Sequence, residues 1–233
     1  MQEPLEGLWL VSGPIGNLGD LSERAADTLR RAAFWIVEDT RVSAKLAQHL
    51  ELRKPMVVLN DHTSPQRVQG YVDRVALGES AALLTDAGTP GISDPGAEIV
   101  ARCIASEVPV DAVPGPSAVT DALMLSGFYA QRFVFLGFLG KKPGPMLKEF
   151  QPYSDSPLTL VLFESPFRIG DLIAVASEAL GSRRYAICRE LTKRHQQVFR
   201  SAFPYVPSEK ELPRKGEITL VIEGKRRKID NSA

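Results

Sequence analysis

The first half of the chain alternates short apolar runs with longer stretches in which apolar positions recur every three or four residues. The runs are 8–12 (LWLVS), 34–39 (FWIVED), 56–59 (MVVL), 80–86 (SAALLTD) and 108–114 (VPVDAVP). Each has little polar alternation, the pattern of strands buried on both faces. Between and after them the spacing predicts helices over 20–33, 42–50, 65–77, 98–105 and 117–125. For the first helix Asp20 is the expected N-cap, with Glu23 at the reciprocal capping position. Strands separated by helices predict an α/β fold, a mostly parallel sheet covered on both faces.

The rhythm breaks over 127–157. A strand-like run, 132–140 (RFVFLGFLG), is followed by Lys141-Lys142-Pro143-Gly144-Pro145, which predicts a linker or loop. Strands are then expected over 158–164, 184–190, 195–201 and 216–224, with a helix over 166–180. The chain therefore divides into two αβ domains, 1–126 and 127–224, and a basic tail over 225–233 that is expected to fray. There is no internal repeat and no low-complexity tract.

Composition narrows the setting. With 233 residues, 44% of them hydrophobic, each domain can bury a core of its own. No apolar run is long enough to span a bilayer, and residues 1–7 do not resemble a secretion signal. Cys103 and Cys188 lack zinc-ligand spacing and read as buried small hydrophobes in a reducing, cytosolic compartment. Three scattered histidines, at 49, 62 and 195, argue against a metal site. Net charge is zero, yet residues 1–139 carry 11 Lys+Arg against 17 Asp+Glu, and the remainder 17 against 11. Such a split suits a basic face for a polyanion, or reflects ordinary surface variation.

The chemistry gathers in three glycine- and proline-rich turns, each after an expected parallel strand: 12–20 (SGPIGNLGD), 86–96 (DAGTPGISDPG) and 114–118 (PGPSA). Open α/β sheets hold ligands at the carboxyl ends of their strands. Glycine admits close backbone approach, and proline fixes the loop before binding. The ligand is not a P-loop nucleotide, because no G-x-x-x-x-G-K-[ST] exists. A dinucleotide fits poorly, since Pro14 removes an amide from the first turn. A zwitterion bearing an adenosine fits better.

The motifs GPIGNLGDLS (13–22), VEDTR (37–41), DAGTPGISDPG (86–96), PGPSA (114–118), RFVFLGFL (132–139), FESPFR (163–168), RELTK (189–193) and KGEITLVIEG (215–224) run in order along nearly the whole chain. Together they resemble the tetrapyrrole-methylase type (class III) of S-adenosylmethionine-dependent methyltransferases. Within that type they resemble the branch that methylates the ribose 2′-hydroxyl of a cytidine in 16S rRNA. The resemblance implies two αβ domains with the cofactor in the cleft between them, a homodimer, and the small ribosomal subunit as partner, without metal or membrane. Carried over by motif, Pro14, Gly88, Thr89, Pro90, Gly91, Ile92 and Ser93 hold S-adenosylmethionine with Ser117 and Ala118. Phe163, Ala186 and Ile218 close the adenine pocket.

Transfer to a ribose hydroxyl asks for alignment, a base and a cation for the neighbouring phosphate. Asp39 and Arg41 are candidates for base and phosphate clamp, or form an ion pair capping the next helix. Asp86 and His62 are further candidates for the chemistry. Asp94 is a candidate helix cap, before a first-turn proline. Arg168, Arg189 and Lys193 are candidates for RNA, or a solvated charge cluster. Departures from the family pattern are Gly13, where a threonine is usual, the 60–64 run NDHTS with a single histidine, and the want of a C-terminal helical extension, which leaves Lys225 to Lys228 as a further basic surface. Two other readings are a tetrapyrrole-type small-molecule methyltransferase and a non-catalytic S-adenosylmethionine sensor.

Overall fold

The computed structural model describes residues 5–226. The tail expected to fray therefore lies outside the described residues, apart from Lys225 and Arg226. The chain divides into two compact units, one ending at Ser117 and the other starting at Ala118.

The first unit holds five strands, β1 (Leu8–Val11), β2 (Phe34–Val37), β3 (Met56–Val58), β4 (Ala81–Leu84) and β5 (Val110–Val113). They form one sheet in the order β3-β2-β4-β1-β5, every pair parallel. β2 and β4 are buried along their whole length, as continuous apolar runs require. The helices α1 (Glu23–Arg31) and α2 (Thr40–His49) send Ala25, Leu29, Leu46 and Ala47 against Val11, Trp35, Val37, Ala82 and Leu84. The helices α3 (Pro65–Ala76) and α4 (Ala97–Ala105) cover the other face, packing Val68, Tyr71, Val72, Ile99 and Cys103 on Leu8, Phe34, Ile36, Ala81 and Leu83. Trp35 is fully buried and satisfies its indole by donating to the Leu29 carbonyl at 3.0 Å. The adjacent strands β1 and β4 feed helices on opposite faces. The β1/β4 pair is thus the point where the helical connections change sides, the usual ligand position in such sheets.

Two expectations about helix starts are corrected. Ser22, not Asp20, caps α1, its hydroxyl accepting from the Ala25 amide at 3.1 Å. Asp20 closes a 3-10 turn, Leu18–Asp20, that is capped by the Asn17 side chain. α4 starts from Gly96 with φ +146° and no side-chain cap, so Asp94 is not its cap.

The second unit opens with α5 (Ala118–Ser126), followed by β6 (Phe133–Phe138), α6 (Pro143–Phe150), β7 (Thr159–Glu164), α7 (Ile169–Leu180), β8 (Arg184–Arg189), β9 (Gln197–Ala202) and β10 (Ile218–Ile222). Its sheet runs β6-β7-β10-β8-β9, with β6 and β7 parallel and every other pair antiparallel. α6 and α7 cover one face, where Phe150, Leu172, Ile173 and Ala176 meet Leu160, Leu162, Ile187, Leu220 and Ile222. α5 lies on the other face, packed on β8 and β10. Arg200 of β9 caps its carboxyl end, donating to the carbonyls of Leu125 and Ser126.

That packing moves the boundary. A helix over 117–125 was expected to close the first domain, but α5 belongs to the second sheet, so the division falls at 117/118 instead of 126/127. The expected 141–145 linker is also shorter, because α6 starts at Pro143. Proline is tolerated in a first turn, where its missing amide has no partner to lose. Both cysteines are buried and free, and burial pushes the Cys188 thiol up to about 11. No helix among the described residues is long and apolar enough to cross a membrane.

Candidate functional site

The three glycine- and proline-rich turns meet at the carboxyl edge of the first sheet and are stitched to one another. The Gly13 amide donates to the Gly88 carbonyl at 2.8 Å, and the Ser12 amide to the Val113 carbonyl at 3.1 Å. The Ser12 hydroxyl donates to the Thr89 hydroxyl at 3.3 Å, which in turn donates to the Pro116 carbonyl at 3.4 Å. These hydroxyl bonds are long, but they run in one direction and tie all three loops together. Gly115 is what lets the third loop come so close. A Cβ there would lie 2.9 Å from the Ser12 Cβ.

The 88–93 loop turns through left-handed backbone at Gly88 (φ +80°), Gly91 (φ +81°) and Ser93 (φ +59°). Only glycine adopts this region cheaply, so the serine marks a conformation imposed by its surroundings. Open space surrounds the positions where Gly13 and Gly91 would carry a Cβ. Ile92 is exposed on the same loop, Pro90 is buried, and Pro14, Ser117 and Ala118 are half-buried. The first loop, the 88–93 loop and Ser117 thus share the end of one unit.

A group of carboxylates lies beside the loops. The Asp86 Oδ1 accepts from the Asp39 amide at 3.2 Å, and the Glu38 Oε2 accepts from the Asp86 amide at 3.4 Å. The ends of β2 and β4 are thereby joined. Partial burial raises Glu38 and Asp86, and the neighbouring acids raise them further. Asp94 is pushed up to about 6, chiefly by burial, against an opposing hydrogen bond with Thr85 and with added repulsion from Glu38 and Asp86. Sequence reasoning set Asp94 at the edge of the 86–96 motif, as a helix cap or a second acid there, and Glu38 as a neighbour of Asp39. Their pairing depends on which strands are adjacent, which no local pattern encodes.

Asp39 behaves differently. Its carboxylate caps α2, accepting from the Arg41 amide at 2.8 Å, and its Oδ2 pairs with the Arg41 guanidinium at 2.5 Å. Those hydrogen bonds hold it down at about 2. Of the two readings of this pair, the helix-capping ion pair is what the side chains form. His62 is exposed, in a turn where its amide donates to the Asn60 side chain at 3.0 Å.

In the second unit Phe163 is half-buried, and its ring meets those of Phe135 and Phe138 at centroid distances of 4.9 and 5.4 Å. Phe163 and Ala186 share the face on which α5 packs, through their partners Thr219 and Val221. Ile218 points to the opposite face, into the α6/α7 core. Its side chain therefore cannot line one surface with the other two, and only its backbone is available.

The expected RNA-binding cations are all engaged. Arg168 pairs with the buried Glu164 at 3.3 Å and donates to the Leu139 and Gly140 carbonyls at 3.1 and 3.3 Å. Buried Arg189 donates to the carbonyls of Lys215 and His195. Lys193 sits between Glu190 at 3.0 Å and Glu217 at 2.6 Å. Each is already engaged by acids or carbonyls of its own unit. In the tail, Lys225 pairs with Asp155, and Arg226 with Glu223.

A paired αβ architecture with preformed loops at one sheet edge defines a class, and the chain belongs to it: residues 7–204 match the tetrapyrrole (corrin/porphyrin) methylases. The solved structure of the methyltransferase CobJ has the same fold, with a TM-score of 0.68 over 95% of this chain and 96% of that one, at 13% identity. Sequence similarity is narrower. The chain is 39% identical over 222 residues to the ribosomal RNA small subunit methyltransferase I of Thermotoga maritima, covering 94% of this chain and 98% of that protein. It is 40% identical to the protein of the same name from Synechocystis sp., over 93% of this chain and 78% of that one.

Proposed function

We propose that the protein transfers a methyl group from S-adenosylmethionine to the ribose 2′-hydroxyl of a cytidine in 16S rRNA of the small ribosomal subunit, acting as a cytoplasmic homodimer. The observation that carries this reading is the 39% identity to a ribosomal RNA small subunit methyltransferase along 98% of that relative's length. It spans the FESPFR, RELTK and KGEITLVIEG motifs as well as the cofactor loops.

The first unit's edge suits the cofactor. Its left-handed turns and the open faces of Gly13 and Gly91 let a ligand reach the backbone, and the hydroxyls of Ser12 and Thr89 keep lone pairs for it. The nearby carboxylates suit its positive charges. When bound, S-adenosylmethionine supplies a methyl group on a cationic sulfur. Gly88 to Ser93 would hold its methionine part, with Ser117 beside it.

A ribose hydroxyl must lose its proton as it becomes a nucleophile, and a base titrating near ambient pH serves best. Asp94, at about 6, meets that condition, and Asp39, at about 2, does not. We put Asp94, which follows directly on the 88–93 loop, forward for test as that base, with Asp86 and Glu38 as its acidic neighbours. Asp39 and Arg41 fix the start of α2.

The test is transfer of labelled methyl from S-adenosylmethionine to small ribosomal subunits from cells lacking this gene. A tetrapyrrole precursor serves as a parallel acceptor. Label recovered as an alkali-resistant 2′-O-methyl dinucleotide of 16S rRNA is expected. Label in the macrocycle, or in neither acceptor while cofactor still binds, would overturn the reading in favour of a small-molecule methylase or a sensor. Sedimentation of the purified protein tests the dimer.

A further inference from the structure

We propose that the end of the second sheet where β6 and β7 finish is a stacking platform for single-stranded RNA, with Phe167 as the ring and Lys141 and Lys142 as phosphate contacts. The proposal rests on the rRNA reading above and names the part of the surface that grips the substrate.

Phe167 is 80% exposed, yet its place is fixed on both sides. Its amide donates to the Ser165 hydroxyl at 3.3 Å, and the next amide, of Arg168, donates to the Ser165 carbonyl at 3.0 Å. The turn is anchored by Glu164, buried at the end of β7, which accepts from the Ser165 amide at 2.7 Å. Arg168 then reaches from the turn to the Leu139 and Gly140 carbonyls, joining it to the segment that carries Lys141 and Lys142. Phe138, 64% exposed, stands at the same end of β6 and leans on Phe163. Both lysines are exposed, and no described residue pairs with them. Glu164, at the end of β7, is committed to Arg168.

A ring this exposed contributes nothing to the α6/α7 core, while the turn that presents it is held by backbone hydrogen bonds. Beside unpaired cations the arrangement matches what unpaired bases require. Any base offers a face to an aromatic ring, while lysines track the backbone, and a preset ring loses little entropy on contact. Arg168 is the positioning residue, spent on holding the two segments together.

The experiment uses the full-length protein with a short single-stranded oligoribonucleotide, the same sequence as a duplex, and small subunits as methyl acceptor. Phe167→Ala is expected to weaken single-strand binding about tenfold, from the usual worth of one base–ring stack, and to raise KM for the subunit. Affinity for S-adenosylmethionine and duplex binding should stay unchanged, and Phe167→Trp should restore the loss. Lys141→Ala with Lys142→Ala should flatten the slope of log affinity against log salt by about 1.4, at roughly 0.7 per single-strand phosphate contact. Wild-type RNA affinity and salt slope in both variants would remove the platform and leave the rRNA reading intact. An unchanged affinity with an altered sedimentation of Phe167→Ala would make the surface a protein interface instead. Wild-type protein that binds single strands but leaves rRNA unmethylated would remove the functional reading by itself. Wild-type protein that binds no RNA would remove both.

Discussion

The two sheets of this protein end in opposite chemistries. At the carboxyl edge of the first, the polar surface is backbone, hydroxyls and acids: the 12–20, 86–96 and 114–118 loops with Glu38, Asp86 and Asp94 beside them. At the corresponding end of the second it is rings and cations, Phe138, Phe167, Lys141, Lys142 and Arg168. A small zwitterionic cofactor is recognised by preset loops that need little side chain. A polyanion is recognised by charge and stacking surfaces that need little loop geometry. On the reading proposed above, these tasks fall to two sheets of different topology, one wholly parallel and one mixed.

The sharpest way to break this assignment of the first edge is Asp94→Asn. We expect methyl transfer to fall about 10²- to 10⁴-fold, the usual worth of a positioned base, with cofactor affinity little changed. Stability should move the other way. Asp94 is raised from 3.8 to about 6 in the folded protein, so the fold favours its neutral form. Well below pH 3.8 the carboxyl is neutral in both states and makes no difference. As pH rises from 3.8 through about 6, ionisation comes to cost the folded state about 3 kcal/mol by linkage, and the cost then stays constant. Asparagine lacks that cost, so the variant should be the more stable at pH 8 and close to wild type near pH 3.5 in urea unfolding. Undiminished transfer would move the base elsewhere.

Next in size is Gly115→Ala. The added methyl must push against Ser12, and overpacking of this kind costs about 1–3 kcal/mol. We expect the affinity for S-adenosylmethionine, measured by calorimetry, to drop roughly tenfold as the loops separate. An unchanged affinity would mean that the spacing of the first and third loops is irrelevant to the cofactor.

The matching test in the second unit is Arg168→Met. It leaves Glu164 buried without its partner, a loss of about 2 kcal/mol for a pair whose arginine is partly in water. Glu164→Gln with Arg168→Met should recover most of that stability. An effect no larger than a surface pair's would show that the 138–142 and 165–168 segments are not braced by this contact.

These sites were unequally legible in the sequence. The strands of the first sheet were plain, because runs such as Phe34–Val37 and Ala81–Leu84 are apolar throughout. So were the three loops, because only glycine and proline build them. The partner of α5 was hidden, since an apolar face says that a helix is covered but not by which sheet. α6 was masked by Pro143 and Pro145, which read as breakers although they stand in a first turn. The acid group depends on β2 lying next to β4, a neighbour relation across 47 residues that local periodicity does not carry. In the second unit the cations were visible but not their partners, so Arg168, Arg189 and Lys193 read as free.

Asp39→Asn should have the smallest effect, and for that reason it separates two roles that the VEDTR motif runs together. The amide oxygen of asparagine still accepts from the Arg41 amide, so the cap of α2 survives. What disappears is the negative charge and its pairing with the exposed Arg41 guanidinium. Exposed pairs contribute little to stability, so thermal unfolding should barely shift. If Asp39 is only the anchor of α2, methyl transfer should remain within about threefold of wild type. Its pH profile should keep the acid limb that Asp94 sets near 6. If transfer instead falls more than a hundredfold with the cap intact, the carboxylate itself takes the proton, its hydrogen bonds to Arg41 must be released when RNA binds, and the first edge would owe its chemistry to β2 instead of β4.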